Sequence, residues 1–572
     1  MQLKRREITG KIFNEDNEIA PLLKHIFAAR GIDSETELQC DLRQLHPVSQ
    51  LLNVEKAAEL IASCMQNNEM ILVVGDFDAD GATSTALVIR AIKLMRYEKI
   101  DYLVPNRFEY GYGLTPEIVE AACRFQPQLI ITVDNGISSI DGVAAAKVNG
   151  WKVLVTDHHL PAKTLPAADV IVNPNQQGDN FPSKNLAGVG VSFYVMLALK
   201  KTLQEKGWFK QHGMTSPNLI SLLDLVALGT VADVVPLDQN NRILVEQGLR
   251  NIRQGRCCSG IETLFNIAAK NPRRAIAADL AFACGPRLNA AGRLDDMSIG
   301  IECLLAENDY TALEFSTTLD HYNRSRREIE TDMKEQALEF LETLDLDNEK
   351  NIPPIFCLYN EEWHQGVIGI LAARIKEQFN RPVIVFADAD NGEIKGSARS
   401  INGLHIRDIL DEVATQQPQL LQKFGGHAMA AGLSLQGEHF DQFTTTIQAI
   451  VLAHCDEETF TEILYSDGEL AADVFSLEVA EQLRTAAPWG QHFPEPVFDG
   501  NFTIIQKQIL KQKHLRLQLK PEDALQSVSA IAFNTDVNNW PEQGQRVDLL
   551  YQFDVNEFRN QLTPQLIIRK LL

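Results

Sequence analysis

The sequence predicts an α/β protein: a parallel-sheet domain, a long connecting helix, a second α/β domain and a small C-terminal β-barrel. Three observations carry that prediction. From about Asn53 to Val172, short β-branched runs alternate with helical periodicity, the pattern of βαβ units on a parallel sheet. From Leu305 to Pro353 a proline-free span repeats apolar residues at helical spacing. Near the C-terminus leucines alternate strictly with polar residues, as in half-buried strands.

With 572 residues, 45% of them hydrophobic, the chain is long enough for three to four domains of roughly 150 residues. The expected divisions are an N-terminal segment 1–45, a catalytic α/β domain 46–305, a connecting helix 306–350, a second α/β domain 351–455 and a β domain 456–572.

In the first domain "EMILVVGD" leads into "TSTALVIRAIKLMR", "QLIITVDNG" into "SSIDGVAAAKVNG", and "WKVLVTDHH" follows. The near-continuous apolar runs indicate strands covered on both faces. Ligands of such sheets bind at the carboxyl ends of the strands, where loops and helix N-termini meet. Those ends carry Asp76, Asp78 and Asp80, then Asp134, then Asp157, His158 and His159. Further on, Asp233 follows an apolar helix and a Gly-Thr turn, and Arg287, Asn289 and Arg293 punctuate a glycine-containing loop.

In the connector, Leu319, Tyr322, Ile329, Met333, Phe340 and Leu344 recur at helical spacing, giving one long amphipathic helix or two in tandem. Arg324, Arg326 and Arg327 form a basic turn on it, which a solvated face explains equally well. The second α/β block holds "PPIFCLYN", "HQGVIGILAARIKEQF" and "RPVIVFAD", then "GEIKGSARS" and "KFGGHAMAAGLSL". In the last block Leu515, Leu517 and Leu519 alternate with Arg516, Gln518 and Lys520, and "LLYQFDVNEFRNQLTPQLIIRKLL" reads as a hairpin. The pattern suits an oligonucleotide-binding (OB) barrel with a basic outer face; an ordinary half-buried sheet fits it as well.

The formal charge of −23 excludes a generally cationic nucleic-acid coat, so any nucleic-acid site is a local basic groove on an acidic body. Nine scattered cysteines without a CxxC pair form no disulfide framework. The basic N-terminus "MQLKRREITGKIF" lacks the apolar core of a signal peptide, and no apolar run reaches the length of about 18 residues that a membrane span needs. The expectation is a cytoplasmic protein with no membrane partner.

Acids this close raise one another's pKa unless a cation neutralises them. Carboxylate and imidazole donors suit Mn²⁺ or Mg²⁺, and such a cluster can hold two ions about 3.5–4 Å apart for phosphodiester hydrolysis. Each piece alone has a plainer reading: the first three aspartates as a helix cap or solvated turn, Asp134 before Asn135-Gly136 as a turn, and Asp157-His158-His159 as capping residues. Asp233 alone reads as structural. Together, three successive strand ends bearing ligands point to a two-metal hydrolase.

The ordered motifs "GDFDADG", "TVDNG", "TDHH", "GTVADVVPL", "GPRLNAAGR", "WHQGVIGILAARI", "GSARS" and "GGHAMAAG" resemble the DHH phosphoesterase superfamily with its DHHA1 companion domain. The chain is most similar to the bacterial single-stranded-DNA-specific exonucleases of that superfamily, from about residue 45 to the C-terminal β domain. The resemblance implies metal ligands at Asp78, Asp80, Asp134, His158 and Asp233, with Asp76, Asp157 and His159 in the same shells. Asp134 would bridge two ions, either Mn²⁺ or Mg²⁺, and His159 would orient or protonate; which imidazole ligates stays open. It also implies a pocket for a terminal 5′ phosphate from Arg107, Ser397 and Arg399, with the channel between the domains, and substrate contacts at His364 and His427, the latter opening a helix. Arg287, Asn289 and Arg293 are further substrate-binding candidates; Arg287 and Arg293 serve equally well to stabilise a loop.

The implied activity is processive removal of 5′ mononucleotides from the 5′ end of single-stranded DNA in repair and recombination, beside a helicase or a single-strand-binding protein. Two other readings remain: a phosphodiesterase for short oligoribonucleotides or cyclic dinucleotides, and a non-catalytic scaffold on the same fold.

Overall fold

The computed structural model describes residues 1–11, 20–105, 113–342, 352–522, 524, 526–559 and 561–572. The chain divides into two compact units: Lys4–Asp320 with Tyr465–Leu572, and His321–Leu464 with Met1–Leu3.

In the first unit the alternating pattern folds as β1 (Ile71–Val74), α1 (Ala79–Leu94), β2 (Ile100–Leu103), α2 (Pro116–Ala122), β3 (Leu129–Val133), α3 (Ile140–Val148), β4 (Lys152–Thr156) and β5 (Val170–Val172). The five strands are parallel in the order β2-β1-β3-β4-β5. Leu72, Val74, Ile130, Val153 and Val155 pack on one face against Ile118, Val119 and Val143 of α2 and α3. Both faces are covered, which is why the strands read as apolar runs without alternation.

Two long apolar helices follow, α4 (Gly188–Glu205) and α5 (Leu223–Ala232), and then α6 (Gly285–Leu294). The "Gly-Thr turn" before Asp233 is not a turn: Gly229 and Thr230 lie inside α5. Nor is "GPRLNAAGR" a loop, since it forms α6. In both cases tight helix packing, not a chain reversal, calls for the small residues.

The connector is one helix, α7 (Asp309–Glu342); Leu344 lies outside the described residues. Its first part belongs to the first unit, where Ser316 bonds Thr263 (2.7 Å). From His321 it belongs to the second, where Met333, Ala337 and Leu341 enter the core. Phe340, expected on the apolar stripe, is exposed, because the buried seam runs through Ala337 instead.

The second unit contains β6 (Phe356–Tyr359), α8 (Ile368–Phe379), β7 (Val383–Asp388), β8 (Glu393–Arg399), α9 (Ile406–Gln416), β9 (Lys423–Gly426), β10 (Ala430–Gln436) and α10 (Phe440–His454). Its mixed sheet has the order β9-β10-β8-β7-β6, with only β6 and β7 parallel.

The C-terminal strands β11 (Phe498–Leu510), β12 (His514–Pro521), β13 (Val528–Ala532), β14 (Arg546–Phe558) and β15 (Gln561–Leu571) close into a barrel. Leu515, Leu517 and Leu519 fill it while Arg516 and Lys520 face outward. The N-terminal segment packs beside it: Phe27 stacks on Trp489 and Phe493, and buried Arg30 forks onto Asp467 (Nη2–Oδ2 2.9 Å). Among the described residues no helix is long and apolar enough to cross a membrane.

Candidate metal centre and active site

The strand order 2-1-3-4-5 reverses direction between β1 and β3, and the crevice at that switch point is where a doubly wound sheet takes its ligand. The acids converge on it. Asp76 follows β1, and Asp134 and Asp157 directly follow β3 and β4, whose ends are paired at Val74–Thr132 and Val133–Thr156. Asp134 adopts φ 61°, a left-handed conformation uncommon for a non-glycine residue. Its N–H donates to Thr156 O (3.0 Å), so the turn is held by the neighbouring strand.

The DxDxD run enters a helix. Asp78 is the N-cap of α1, its Oδ1 accepting from Gly81 N (3.0 Å), and Asp80 and Gly81 already lie in the first helical turn. Helix geometry therefore splits the acids, leaving Asp78 at the mouth and burying Asp80. Asp80 accepts two amides from the start of α4, Gly188 N (2.6 Å) and Val189 N (3.0 Å). Two glycines make this closeness possible. A Cβ at Gly188 would stand 2.6 Å from Asp134 Oδ1, and one at Gly229 of α5 would stand 2.7 Å from Asp80 Oδ1. Asp233 is the C-cap of α5, which carries it to the same place.

Three overlapping groups of donor atoms, each within 4.8 Å of one another, result: Asp76–Asp78–Asp134, Asp80–His158–Asp233 and Asp134–His158–His159. His158 Nε2 lies 3.2 Å from Asp134 Oδ1 and 3.4 Å from Asp233 Oδ2. Burial, and then the charge of Asp78, push Asp80 up to about 7 against the two amides that lower it. Burial followed by the charges of Asp80 and Asp78 holds Asp134 and Asp233 well above the ordinary carboxylate range. So much mutual repulsion in a desolvated site is relieved by a cation. Carboxylate and imidazole donors, with no thiolate in these groups, match hard divalent ions such as Mn²⁺ and Mg²⁺. The acidic and histidine groups are thus positioned to hold metal ions.

Asp157, expected in the same shells as the ligands, lies outside these three donor groups and is engaged by its neighbours. Its Oδ2 accepts Ile137 N (2.9 Å), and its Oδ1 accepts His158 N (2.7 Å) and His159 N (3.0 Å) and contacts His159 Nδ1 (2.8 Å). Burial opposes its charge, yet the bond and charge of His159 hold its pKa below the ordinary value. For His159, burial alone would lower the pKa; Asp157, then Asp233 and Asp76, outweigh it and raise it to about 9. Asp157 thus orients and charges His159. Two further orienting residues escape a motif search: Asn173 donates to His159 O (2.9 Å) and Asn175 to His158 O (2.6 Å). Their only sequence signal is the polar "NPN" directly after β5.

Of the α6 candidates, Arg287 is buried and bound to Asp320 (Nη2–Oδ1 2.8 Å) and Ala283 O (2.6 Å). Asn289 Oδ1 accepts Ala79 N (2.8 Å), pinning the start of α1. Arg293 is half-buried near the end of α6.

In the second unit, Ser397 and Arg399 of β8 lie together, Arg399 Nη1 donating to Ser397 Oγ (3.2 Å) and Ala398 O (2.8 Å). A Cβ at Gly369, in the first turn of α8, would stand 2.9 Å from both Ser397 Oγ and Arg399 Nη2. Burial lowers the pKa of Arg399. His364 makes the turn into α8, its carbonyl accepting Val367 N (2.9 Å). A hydroxyl, a guanidinium and the first turn of a helix thus lie together at this point. His427 does not open a helix: it sits in the β9–β10 turn, its N–H donating to Ala430 O (2.8 Å), because the strand pairing of β10 with β8 claims the following residues. Arg107 lies outside the described residues.

Family models match in the same order: the DHH family N-terminal domain at 70–230, the DHHA1 domain at 353–453 and the RecJ OB domain at 466–570. The single-stranded-DNA-specific exonuclease RecJ of Salmonella typhimurium is 50% identical over 99% of this chain and 98% of its own length. That of Escherichia coli is 50% identical with the same coverage. The crystal structure of RecJ in complex with Mn²⁺ from Thermus thermophilus is similar over 97% of this chain and 76% of that one, with a TM-score of 0.78 at 27% identity. The corresponding Mg²⁺ complex gives a TM-score of 0.74. The chain belongs to the RecJ family of single-stranded-DNA-specific exonucleases, metal-dependent nucleases of the DHH type.

Proposed function

We propose that the protein degrades single-stranded DNA processively from its 5′ end, releasing 5′ mononucleotides, with two ions held by Asp76, Asp78, Asp80, Asp134, His158 and Asp233. The observation that supports this most is the convergence of seven donor residues in three overlapping groups at the switch point of the sheet. Bound Mn²⁺ or Mg²⁺ would stabilise phosphate charge and supply a nucleophile at neutral pH.

The remaining work falls to the chain. Asp80, fixed by two α4 amides, and Asp134, fixed by its strand-end turn, hold the centre rigid. His159, held by Asp157 (2.8 Å), donates to a phosphate oxygen and carries a proton toward the departing 3′ oxygen. Ser397 and Arg399 take the terminal 5′ phosphate, and His364 and His427 contact the backbone. Asn289 and Arg287 act as positioning residues for α1 and α6. The barrel, with Arg516 and Lys520 outward, holds the strand. A helicase and a single-strand-binding protein supply the substrate in repair and recombination. The nine free thiols fit the reducing cytoplasm.

The test is Asp80→Asn and Asp134→Asn. Both should abolish nucleolysis while single-stranded DNA is still bound; turnover surviving in both would move the active centre elsewhere.

A further inference from the structure

Two apolar side chains near the acids are displayed where water would be expected to drive them inward. Phe282 is 77% exposed and Val234 is 61% exposed. Val234 follows Asp233 directly and holds φ 61°, a conformation that is a genuine outlier for a β-branched residue.

Phe282 projects from a wide, π-helical turn, Leu280–Cys284, that leads into α6. Such turns recur at functional sites. This one is fixed by buried groups: Arg287 takes the Ala283 carbonyl (2.6 Å), and Asp320 holds Arg287 (2.9 Å). The display of Phe282 is therefore built into the fold.

The segment also runs along the acid cluster. A Cβ at Gly285 would stand 3.1 Å from Ala232 Cβ, one residue before Asp233. Further along α6, Asn289 binds Ala79 N (2.8 Å), beside Asp78. α6 thus runs from the Asp233 end of the cluster to the Asp76–Asp80 turn, and Phe282 lies in the turn that leads into its Asp233 end.

We propose that Phe282 is a stacking platform for one base of the strand near the scissile phosphate, and that it selects for an unpaired strand. An aromatic face accepts any base, which matches sequence-tolerant degradation. A base inside a duplex already has both faces covered by its neighbours and has none to offer the ring. The role is one of substrate positioning and specificity, and it rests on the proposed reading of the acids as the catalytic centre.

The experiment uses full-length protein and a set of 5′-phosphorylated single-stranded oligonucleotides, each with one abasic residue at a different position from the 5′ end. Phe282→Ala should raise KM for the unmodified strand about tenfold, the order expected for one lost base–aromatic stack, with kcat little changed. Phe282→Trp should restore it. At one position, the abasic residue should cost the wild type the same factor and cost Phe282→Ala nothing more. An unchanged KM in a Phe282→Ala protein of wild-type Tm, or abasic penalties that add to the substitution at every position, would overturn the proposal. Failure of the catalytic reading is separate: it appears as retained turnover in Asp134→Asn, whatever Phe282→Ala does.

Discussion

Asp157 is a single carboxylate buried beside the candidate metal centre and outside its three donor groups. Both its oxygens are taken up by Ile137, His158 and His159, so Asp157→Asn should keep the donors but release His159. Outer partners of this kind are worth about 10–100-fold in metal affinity or activity, and a loss of that order is expected here. Asp157 raises the His159 pKa, which should therefore fall once the carboxylate charge is gone. The alkaline limb of the pH–rate profile at saturating Mn²⁺ should then move to lower pH. An unmoved limb would remove His159 as the proton donor. Residues of this kind were only half legible: "TDHH" marks the spot, but which of its groups bind metal depends on where Ile137 and the two histidine amides point, and these are three-dimensional facts.

At the scale of elements, the sequence patterns that rest on burial translated directly. Apolar runs became β1, β3 and β4, and the Leu515–Leu517–Leu519 alternation became the barrel interior. What misled was glycine. Gly229 reads as part of a turn and Gly292 as part of a loop, yet both lie within helices, where they permit close approach; a single sequence does not separate the two uses. Gly188→Ala should accordingly act as an overpacking change against Asp134, costing about 1–3 kcal/mol of stability and a larger share of activity, since the displaced group belongs to the proposed centre. The N-terminal segment gave no clear sequence signal. Its attachment depends on Arg30 and Asp467, which are 437 positions apart and both nearly fully buried. Asp467→Ala should destabilise the fold by about 3–5 kcal/mol by leaving Arg30 buried and unpaired, measured by denaturant unfolding. A loss below about 1 kcal/mol, the level of an exposed pair, would contradict the burial.

For the molecule as a whole, the acid cluster couples folding to protons and to metal. Asp80, Asp134 and Asp233 have folded-state pKa values above their unfolded ones. The native state therefore binds more protons near pH 7, and this contribution to stability grows as pH falls through about 7. His159, also raised, acts in the same direction: its contribution is complete below its unfolded value and lost as pH rises through about 9. In chelator, Tm should rise as pH is lowered from 8 to 6. Mn²⁺ should raise Tm most at pH 8, because the cation replaces the missing protons, and its binding should release protons. An equal Mn²⁺ effect at both pH values would show that these acids do not hold the ion. The most direct test of the central claim, that this cluster is a working 5′-end nuclease centre, uses one long single-stranded DNA with distinguishable labels at its two ends. It is followed over time with Mn²⁺ and with chelator. The account predicts early release of the 5′ label as a mononucleotide, only with metal, while the 3′ label stays on long DNA; both labels remaining on intact but bound DNA would contradict it.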